Sequence, residues 1–433
     1  MSHAPKRIAF QTFGCKLNFA ETSTIARGFK EDGYEVVEHK AEADVYVINS
    51  CVVTANAEKK CRAAIRQAKR RNPDAHIAII GCFPQIKEDD LSKMAEIDIV
   101  LGNEEKFMLK DHLKDDSLTG ACHSFVGDIN KSDVFTPSWS SGDRTRSFLK
   151  IQDGCDYFCT YCTIPFARGR SRSATIKNTI KSAREIAATG MREIILTGVN
   201  IGDFGKPHDE SFFGLIKELD KLDGIDRIRI SSIEPELLNE EMIMFMDKSK
   251  KFLPHYHIPL QSGSDKVLSA MKRKYRREVF AQRVNEIKKQ MPHACIAADV
   301  IIGFPGETDE DFMDTYDFLN GLKVSYMHVF TYSERPGTKA VSLAGKVPAS
   351  VKRERSKVLH ELSERKKSAF YKENAGRTVS VLFESDNSDG YMHGFSGNYI
   401  KVKTAFREDL VNKIIALKLD HLEQDGCYTY KPE

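Results

Sequence analysis

Short apolar runs alternate with longer amphipathic stretches through the first hundred residues. The runs Ile8–Phe13, Val45–Asn49, Ile77–Ile80 and Ile97–Leu101 are too short for helices and rich in β-branched residues, which predicts buried strands. Between the second and third, Cys61, Ala64, Ile65 and Ala68 recur at helical spacing among lysines and arginines. Such alternation predicts a parallel sheet covered by helices. From about Leu118 to Asp143 the chain turns to Ser-Asp, Thr-Pro-Ser and Ser-Ser-Gly, the chemistry of a linker. A second α/β series follows, with strands expected at Phe148–Gln152, Ile194–Thr197, Arg227–Ser231, His255–Leu260, Ile296–Ile302 and Tyr326–Tyr332. Helical patterns such as Lys177–Thr189 and Arg277–Gln290 separate them, so the segment reads as six β/α units, an open and partial version of the eight-fold barrel. Ser350–Asn374 reads as a long surface helix. Thr378–Glu384, Tyr399–Lys403 and Ile414–Lys418 then predict a small all-β module.

A chain of 433 residues calls for two to three domains, and 41% apolar with 29% charged residues suits folded cores in water. The net charge of +3 leaves any nucleic-acid reading to local clusters. The opening Met-Ser-His-Ala-Pro-Lys-Arg lacks the apolar stretch of a signal peptide, and no apolar run reaches transmembrane length. The expectation is a cytoplasmic protein with no membrane partner. In that setting ten cysteines point to metal binding or catalysis rather than disulfides.

Their spacing narrows the choice. Cys155, Cys159 and Cys162 form a compact C-x-x-x-C-x-x-C loop directly after a predicted strand. Three thiolates can hold three irons of a [4Fe–4S] cluster and leave the fourth open to a substrate. Structural zinc closes its site with a fourth ligand, and none stands at a local spacing here. Cys15, Cys51 and Cys82 are remote from one another, yet each follows a predicted strand, in Phe-Gly-Cys, Asn-Ser-Cys and Ile-Gly-Cys. Carboxyl ends of parallel strands converge on one sheet edge, so these cysteines are expected to form a second three-thiolate site. Cys61, Cys122, Cys295 and Cys427 lack such placement and are expected to pack.

Basic clusters suggest an RNA partner. Lys59–Arg71 holds seven Lys/Arg and no acid, and five of the six residues Lys272–Arg277 are basic. Arg168, Arg170 and Arg172 lie beside the cysteine loop and are the favoured RNA contacts.

The Gly154–Cys162 loop resembles the radical S-adenosylmethionine superfamily. That resemblance implies that the methionyl amine and carboxylate chelate the open iron and that one electron splits the sulfonium to a 5′-deoxyadenosyl radical. It also implies that Tyr161 lies against the adenine, that Gly198 and Asn200 in Thr-Gly-Val-Asn approach the methionine, and that Ser231 and Glu234 approach the ribose. Gln261 and Asp299–Gly303 would end later strands of the site. With Cys15, Cys51 and Cys82 ahead of the loop and a small β module behind, the whole chain resembles the methylthiotransferases. The implied domains are an N-terminal methylthiotransferase domain (4–120), a linker (121–141), a radical S-adenosylmethionine barrel (142–371) and an RNA-binding TRAM domain (372–433). Gly14-Cys15-Lys16-Leu17-Asn18, Ile151-Gln-Asp-Gly-Cys155 and Pro165-Phe-Ala-Arg-Gly-Arg-Ser-Arg-Ser173 look like the class acting on N6-threonylcarbamoyladenosine in tRNA. The alternatives are the classes acting on isopentenyladenosine or on a ribosomal-protein aspartate. Ser50 and Phe83 stand where Thr and Tyr are more usual, and neither change removes a ligand. The implied reaction puts a methylthio group on carbon 2 of the adenine. It needs two [4Fe–4S] clusters, S-adenosylmethionine, tRNA, an electron donor and a sulfur source, but no general acid or base. A non-enzymatic RNA-binding protein with structural metal is the alternative of another class.

Overall fold

The computed structural model describes residues 5–52, 54–114, 121–142 and 145–431. Its first region is a six-stranded parallel sheet made of β1 (Arg7–Thr12), β2 (Glu35–Val37), β3 (Val45–Ser50), β4 (His76–Gly81), β5 (Ile99–Leu101) and β6 (His123–Phe125). The strand order is β2-β1-β3-β4-β5-β6. Every residue of β3 is buried. Tyr46 and Ile48 enter one core while Val45 and Val47 enter the core on the other face, as expected of a strand covered by helices on both sides. The helix Lys16–Glu31 follows β1, and Ala55–Arg71, capped by the Thr54 hydroxyl accepting from the Ala57 N–H, follows β3.

The stretch read as a linker carries structure. His123–Phe125 completes the first sheet, and β7 (Ser138–Trp139) runs antiparallel to β8 (Arg146–Lys150). Residues 118–120 and 143 of that stretch lie outside the described residues. Trp139, the sole tryptophan of the sequence, sits 3.7 Å beneath the Arg27 guanidinium, so this segment fastens the first region to the second.

The second region keeps its expected strands. After the short pair β9 (Gln152–Asp153) and β10 (Arg172–Ser173), β11 (Glu193–Thr197) lies parallel between β8 and β12 (Arg227–Ile230). A second parallel sheet holds β13 (His255–Gln261), β14 (Cys295–Ile302) and β15 (Tyr326–Thr331). Parallel bridges Ile228–Phe252 and Ser232–His257 join the two. One core runs beneath both, from Leu149 through Leu196 and Ile230 to Ile258, Val300 and Met327.

The predicted surface helix is Ala349–Glu373, and one side of it is buried. Its Ser363 hydroxyl both accepts from the Met327 N–H and donates to the Met327 carbonyl, closing the open edge of β15. A six-stranded sheet follows, built from β16 (Thr378–Phe383), β17 (Tyr391–Ser396), β18 (Lys401–Ala405), β19 (Ile414–Lys418), β20 (His421–Leu422) and β21 (Tyr428–Thr429). No helix among the described residues is long and apolar enough to cross a membrane.

Candidate active site

The register of the first sheet explains how three remote cysteines reach one edge. Ser50 pairs with Gly81, so Cys51 and Cys82 leave adjacent strands at the same level. Thr12 pairs with Asn49, and the loop after β1 carries Cys15 onto the N-cap of the helix Lys16–Glu31. Gly14 has φ +112°, and a Cβ there would lie 2.9 Å from Cys51 Cβ, so only glycine lets these two loops close. Asn103 Nδ2 approaches Cys82 Sγ at 3.5 Å, and the helix N-terminus beneath Cys15 favours a thiolate. Burial raises the Cys15 thiol while Arg168 opposes the rise.

The second triad sits on a tight loop after β9. Gly154 has φ +70°, and a Cβ there would fall 1.9 Å from the Arg170 carbonyl oxygen. Backbone amides point at two of the sulfurs, Tyr157 N–H to Cys155 Sγ at 3.5 Å and Ile164 N–H to Cys162 Sγ at 3.4 Å. Arg273 Nη1 donates to Cys159 Sγ at 3.2 Å, and its other arm pairs with Glu234. Burial pushes Cys155 and Cys162 up to about 12. Buried thiols with donors already aimed at sulfur suit a bound metal centre better than free thiols, since each donor stabilises the thiolate that ligation requires. The second triad thus fits the three-thiolate cluster that its spacing suggests, and the first has one such donor, Asn103 Nδ2 at Cys82 Sγ. None of the ten cysteines is disulfide-bonded.

Between the triads lies a buried ion network that sequence reasoning missed. Glu21 of the first region accepts from Lys106 Nζ at 2.6 Å, Lys150 Nζ at 2.8 Å and Arg168 Nη1 at 3.0 Å. Arg168 also reaches Asp153 at 2.9 Å and Asn18 at 2.6 Å, and Lys150 reaches Asp153 at 2.7 Å. Burial would raise the Glu21 carboxyl, but Arg168, Lys106 and Lys150 together hold it well below the usual range. Three cations face two carboxylates, and the surplus positive charge suits anionic thiolate centres nearby. The expected RNA contacts therefore need correction. Arg168 is 1% exposed and spends its donors on this network. Arg172 is 8% exposed and donates to the Val134, Arg168 and Arg170 carbonyls. Only Arg170 of the three stands in solvent, over the Phe158 ring.

The other basic clusters divide in the same way. Arg273 is buried, and Arg277 donates to the Gly263 carbonyl at 3.1 Å. On the helix Ala55–Arg71, Lys69 and Arg71 hold the carbonyls of Ala75 and His39, whereas Lys59 and Lys60 are exposed.

A cavity of about 690 Å³ opens where the three regions meet. Cys15 and Lys16 form one wall; Thr197, Gly198 and Ser231 at the ends of β11 and β12 form another. The Ser231 hydroxyl is buried there without a partner among the described residues. His257, Asp299 and His328 from β13, β14 and β15 face the same space, His257 Nε2 standing 2.7 Å from Asp299 Oδ1. Of the other expected cofactor contacts, Tyr161 packs edge-on against Phe304, and burial raises its hydroxyl well above the usual range. Glu234, pushed up to about 7 by burial against the pull of Arg273, lies beside Cys159 through that arginine. Asn200 donates from Nδ2 to Asp203 at 2.9 Å, and among the described residues its buried Oδ1 has no partner. Gln261 ends β13 in the left-handed region, φ +67°, at a break in register.

Residues 7–102 match the family described as Uncharacterized protein family UPF0004, and residues 149–319 match the Radical SAM superfamily. The chain is 40% identical over 422 residues to the threonylcarbamoyladenosine tRNA methylthiotransferase MtaB of Bacillus subtilis, covering 95% of this chain and 93% of the relative. The chain belongs to the radical S-adenosylmethionine methylthiotransferase family. A second relative of the same description, from Aquifex aeolicus, is 38% identical over 92% of this chain and 96% of its own. Among solved structures, the radical S-adenosylmethionine methyltransferase TsrM of Kitasatospora setae aligns with TM-score 0.57 at 14% identity, over 78% of this chain and 77% of that one, a likeness of fold. This methylthiotransferase is an enzyme of the MtaB type that transfers a methylthio group.

Proposed function

We propose that this methylthiotransferase replaces the hydrogen on carbon 2 of N6-threonylcarbamoyladenosine in tRNA with a methylthio group, using two [4Fe–4S] clusters and S-adenosylmethionine. Cys155, Cys159 and Cys162 would hold one cluster, and Cys15, Cys51 and Cys82 the other. The observation that carries the reading is the shared cavity. Cys15 opens onto the same space as Gly198 and Ser231, so a sulfur centre and a cofactor site face one substrate. When bound, the clusters and S-adenosylmethionine supply the radical and the sulfur for a C–H bond that acid–base chemistry leaves untouched.

The chain's own residues bind, orient and exclude water. Arg273 orients Cys159 and Glu234 together. The network of Glu21, Lys106, Lys150, Arg168 and Asp153 locks the first region onto the second and so fixes the separation of the two triads. Ser231 and Glu234 offer oxygens at the end of β12, suited to ribose hydroxyls. No side chain acts as a catalytic acid or base in this account. In domain terms, residues 4–120 carry the sulfur centre, 121–141 connect while lending β6 to the first sheet and β7 to the second, 142–371 form a partial (β/α)6 barrel, and 372–433 form a TRAM module that binds RNA. Arg170 and the exposed Lys59 and Lys60 would meet tRNA phosphates. An electron donor and a sulfur source act from outside the chain, and a cytoplasmic setting suits all these partners.

Two variants test the division of labour in anaerobically reconstituted protein, which should carry about eight irons. Cys159→Ala is expected to abolish formation of 5′-deoxyadenosine. Cys51→Ala should retain that formation and lose methylthio transfer. Loss of 5′-deoxyadenosine in a folded Cys51→Ala protein, or zinc in place of iron, would refute the reading.

A further inference from the structure

The cavity walls carry more positive charge than the transfer of a methylthio group requires. Lys16, Arg146 and Arg229 line it, and among the described residues Asp299 is the one carboxylate that does. Asp299 is already engaged by His257 at 2.7 Å. Arg146 is held by Glu384 at 2.8 Å, and Arg229 by Glu193 at 3.1 Å and by the Gly397 and Ser396 carbonyls. Both arginines therefore fasten the second region to the C-terminal sheet, and their acids stand outside the cavity lining. Lys16 differs. Among the described residues its ammonium has neither a hydrogen-bonded acceptor nor an ion-pair partner, although it is half-buried beside Cys15. A flexible cation kept in a cavity without its own counter-ion is suited to an anion supplied by the ligand.

Building on the substrate reading above, we propose that Lys16 is the specificity residue that binds the carboxylate of the threonyl group on N6, with Arg146 and Arg229 adding to the local field. The base's own geometry supports the assignment. Carbon 2 and N6 flank N1 on one edge of adenine, so a base that turns carbon 2 toward Cys15 sends its N6 substituent along the same wall. Lys16 is the next residue on that wall. An isopentenyl group in the same place would leave the lysine desolvated and unpaired, which penalises the apolar substrate. Lys16 is a binding and discriminating group here and takes no part in bond making.

The test uses the full-length holoenzyme and two anticodon stem-loop RNAs, one carrying N6-threonylcarbamoyladenosine and one its threonyl methyl ester. The wild type should show a KM about 10–100-fold higher for the ester, the range of one charge-assisted hydrogen bond. Lys16→Gln should raise the KM for the acid by a similar factor and bring the acid-to-ester ratio close to one, and Lys16→Arg should keep the preference. Equal KM values for acid and ester in the wild type, or a Lys16→Gln protein that raises both alike, would overturn the subsite and leave the substrate reading standing. Modification of neither RNA would overturn both. If Lys16→Gln fails to fold, Lys16→Met takes its place in the same comparison, and a retained preference for the acid would overturn the subsite.

Discussion

Replacing Glu21 with glutamine removes one negative charge from a site that holds three cations within 3.0 Å. Lys150 and Arg168 would then keep only Asp153 as a carboxylate partner and Lys106 only the Asn103 Oδ1, and each cation is no more than 2% exposed at the side chain. Removing one partner from a buried ionic group costs about 3–5 kcal/mol, because the remaining charges stay desolvated. At a urea m-value of about 3 kcal/mol per M, the unfolding midpoint should fall by about 1–2 M. The natural probe is Trp139, the only tryptophan, which reports the seam through its contact with Arg27. Its fluorescence should change earlier in urea for Glu21→Gln than for the parent. The double variant Glu21→Gln/Lys106→Met restores the original charge balance and should recover part of the loss. A single variant that unfolds within about 0.3 M of the parent, too little for the buried-charge penalty, would refute the claim that this network holds the two regions together.

Three further outcomes follow from named contacts. Arg273→Met removes the donor to Cys159 Sγ and the partner of Glu234, and should lower 5′-deoxyadenosine formation by about 10–100-fold, read by chromatography with iron content as the control. Burial raises the Asp311 carboxyl, but hydrogen bonds from Lys266, the Thr308 N–H and Ser264 outweigh it and hold it down to about 2 from 3.8. The stabilisation it gives should be complete above about pH 4 and lost as the pH falls toward 2, so Asp311→Ala, at a cost of about 1 kcal/mol near neutrality, should flatten the acid limb of the stability curve. Arg170→Ala should weaken tRNA binding and reduce the salt slope by about one, whereas Arg172→Ala should act on stability, because its donors serve the chain.

The legible part of this molecule was the part written locally. Strand ends marked by Phe-Gly-Cys, Asn-Ser-Cys and Ile-Gly-Cys announce three cysteines, and the parallel register then brings them to one level. The six strands of the second region were legible for the same reason, some as apolar runs, such as Ile194–Thr197 and Ile296–Ile302, and others as alternations of apolar and polar residues, such as Arg227–Ser231. The C-terminal strand Tyr391–Ser396 was not. Its inward positions are Met392, Gly394 and Ser396, so one of the three is a large apolar residue and the alternation is weak. Gly394 is required there, because a Cβ would lie 2.6 Å from Val381 Cγ1. The two short strands inside the apparent linker carry no hydrophobic alternation of their own and depend on neighbours already in place. The roles of Arg168 and Arg172 were hidden for a different reason. Next to a cysteine loop they look like phosphate contacts, and only the distant partner Glu21, 147 residues away in sequence, shows that Arg168 is spent on structure. Lys16 was visible as part of a motif, but its lack of an acceptor could emerge only from the cavity around it.

The central claim, a radical enzyme whose second thiolate triad would hold the centre from which sulfur reaches a tRNA adenosine, is tested most directly by nucleoside mass spectrometry. The reconstituted protein, a chemical reductant, sulfide, S-adenosylmethionine and tRNA bearing N6-threonylcarbamoyladenosine would be combined anaerobically, and the RNA digested. The account predicts that this nucleoside is converted to a species heavier by a methylthio group in place of hydrogen, with no conversion by Cys51→Ala. An unchanged threonylcarbamoyladenosine peak, with 5′-deoxyadenosine formed in the same tube, would contradict it.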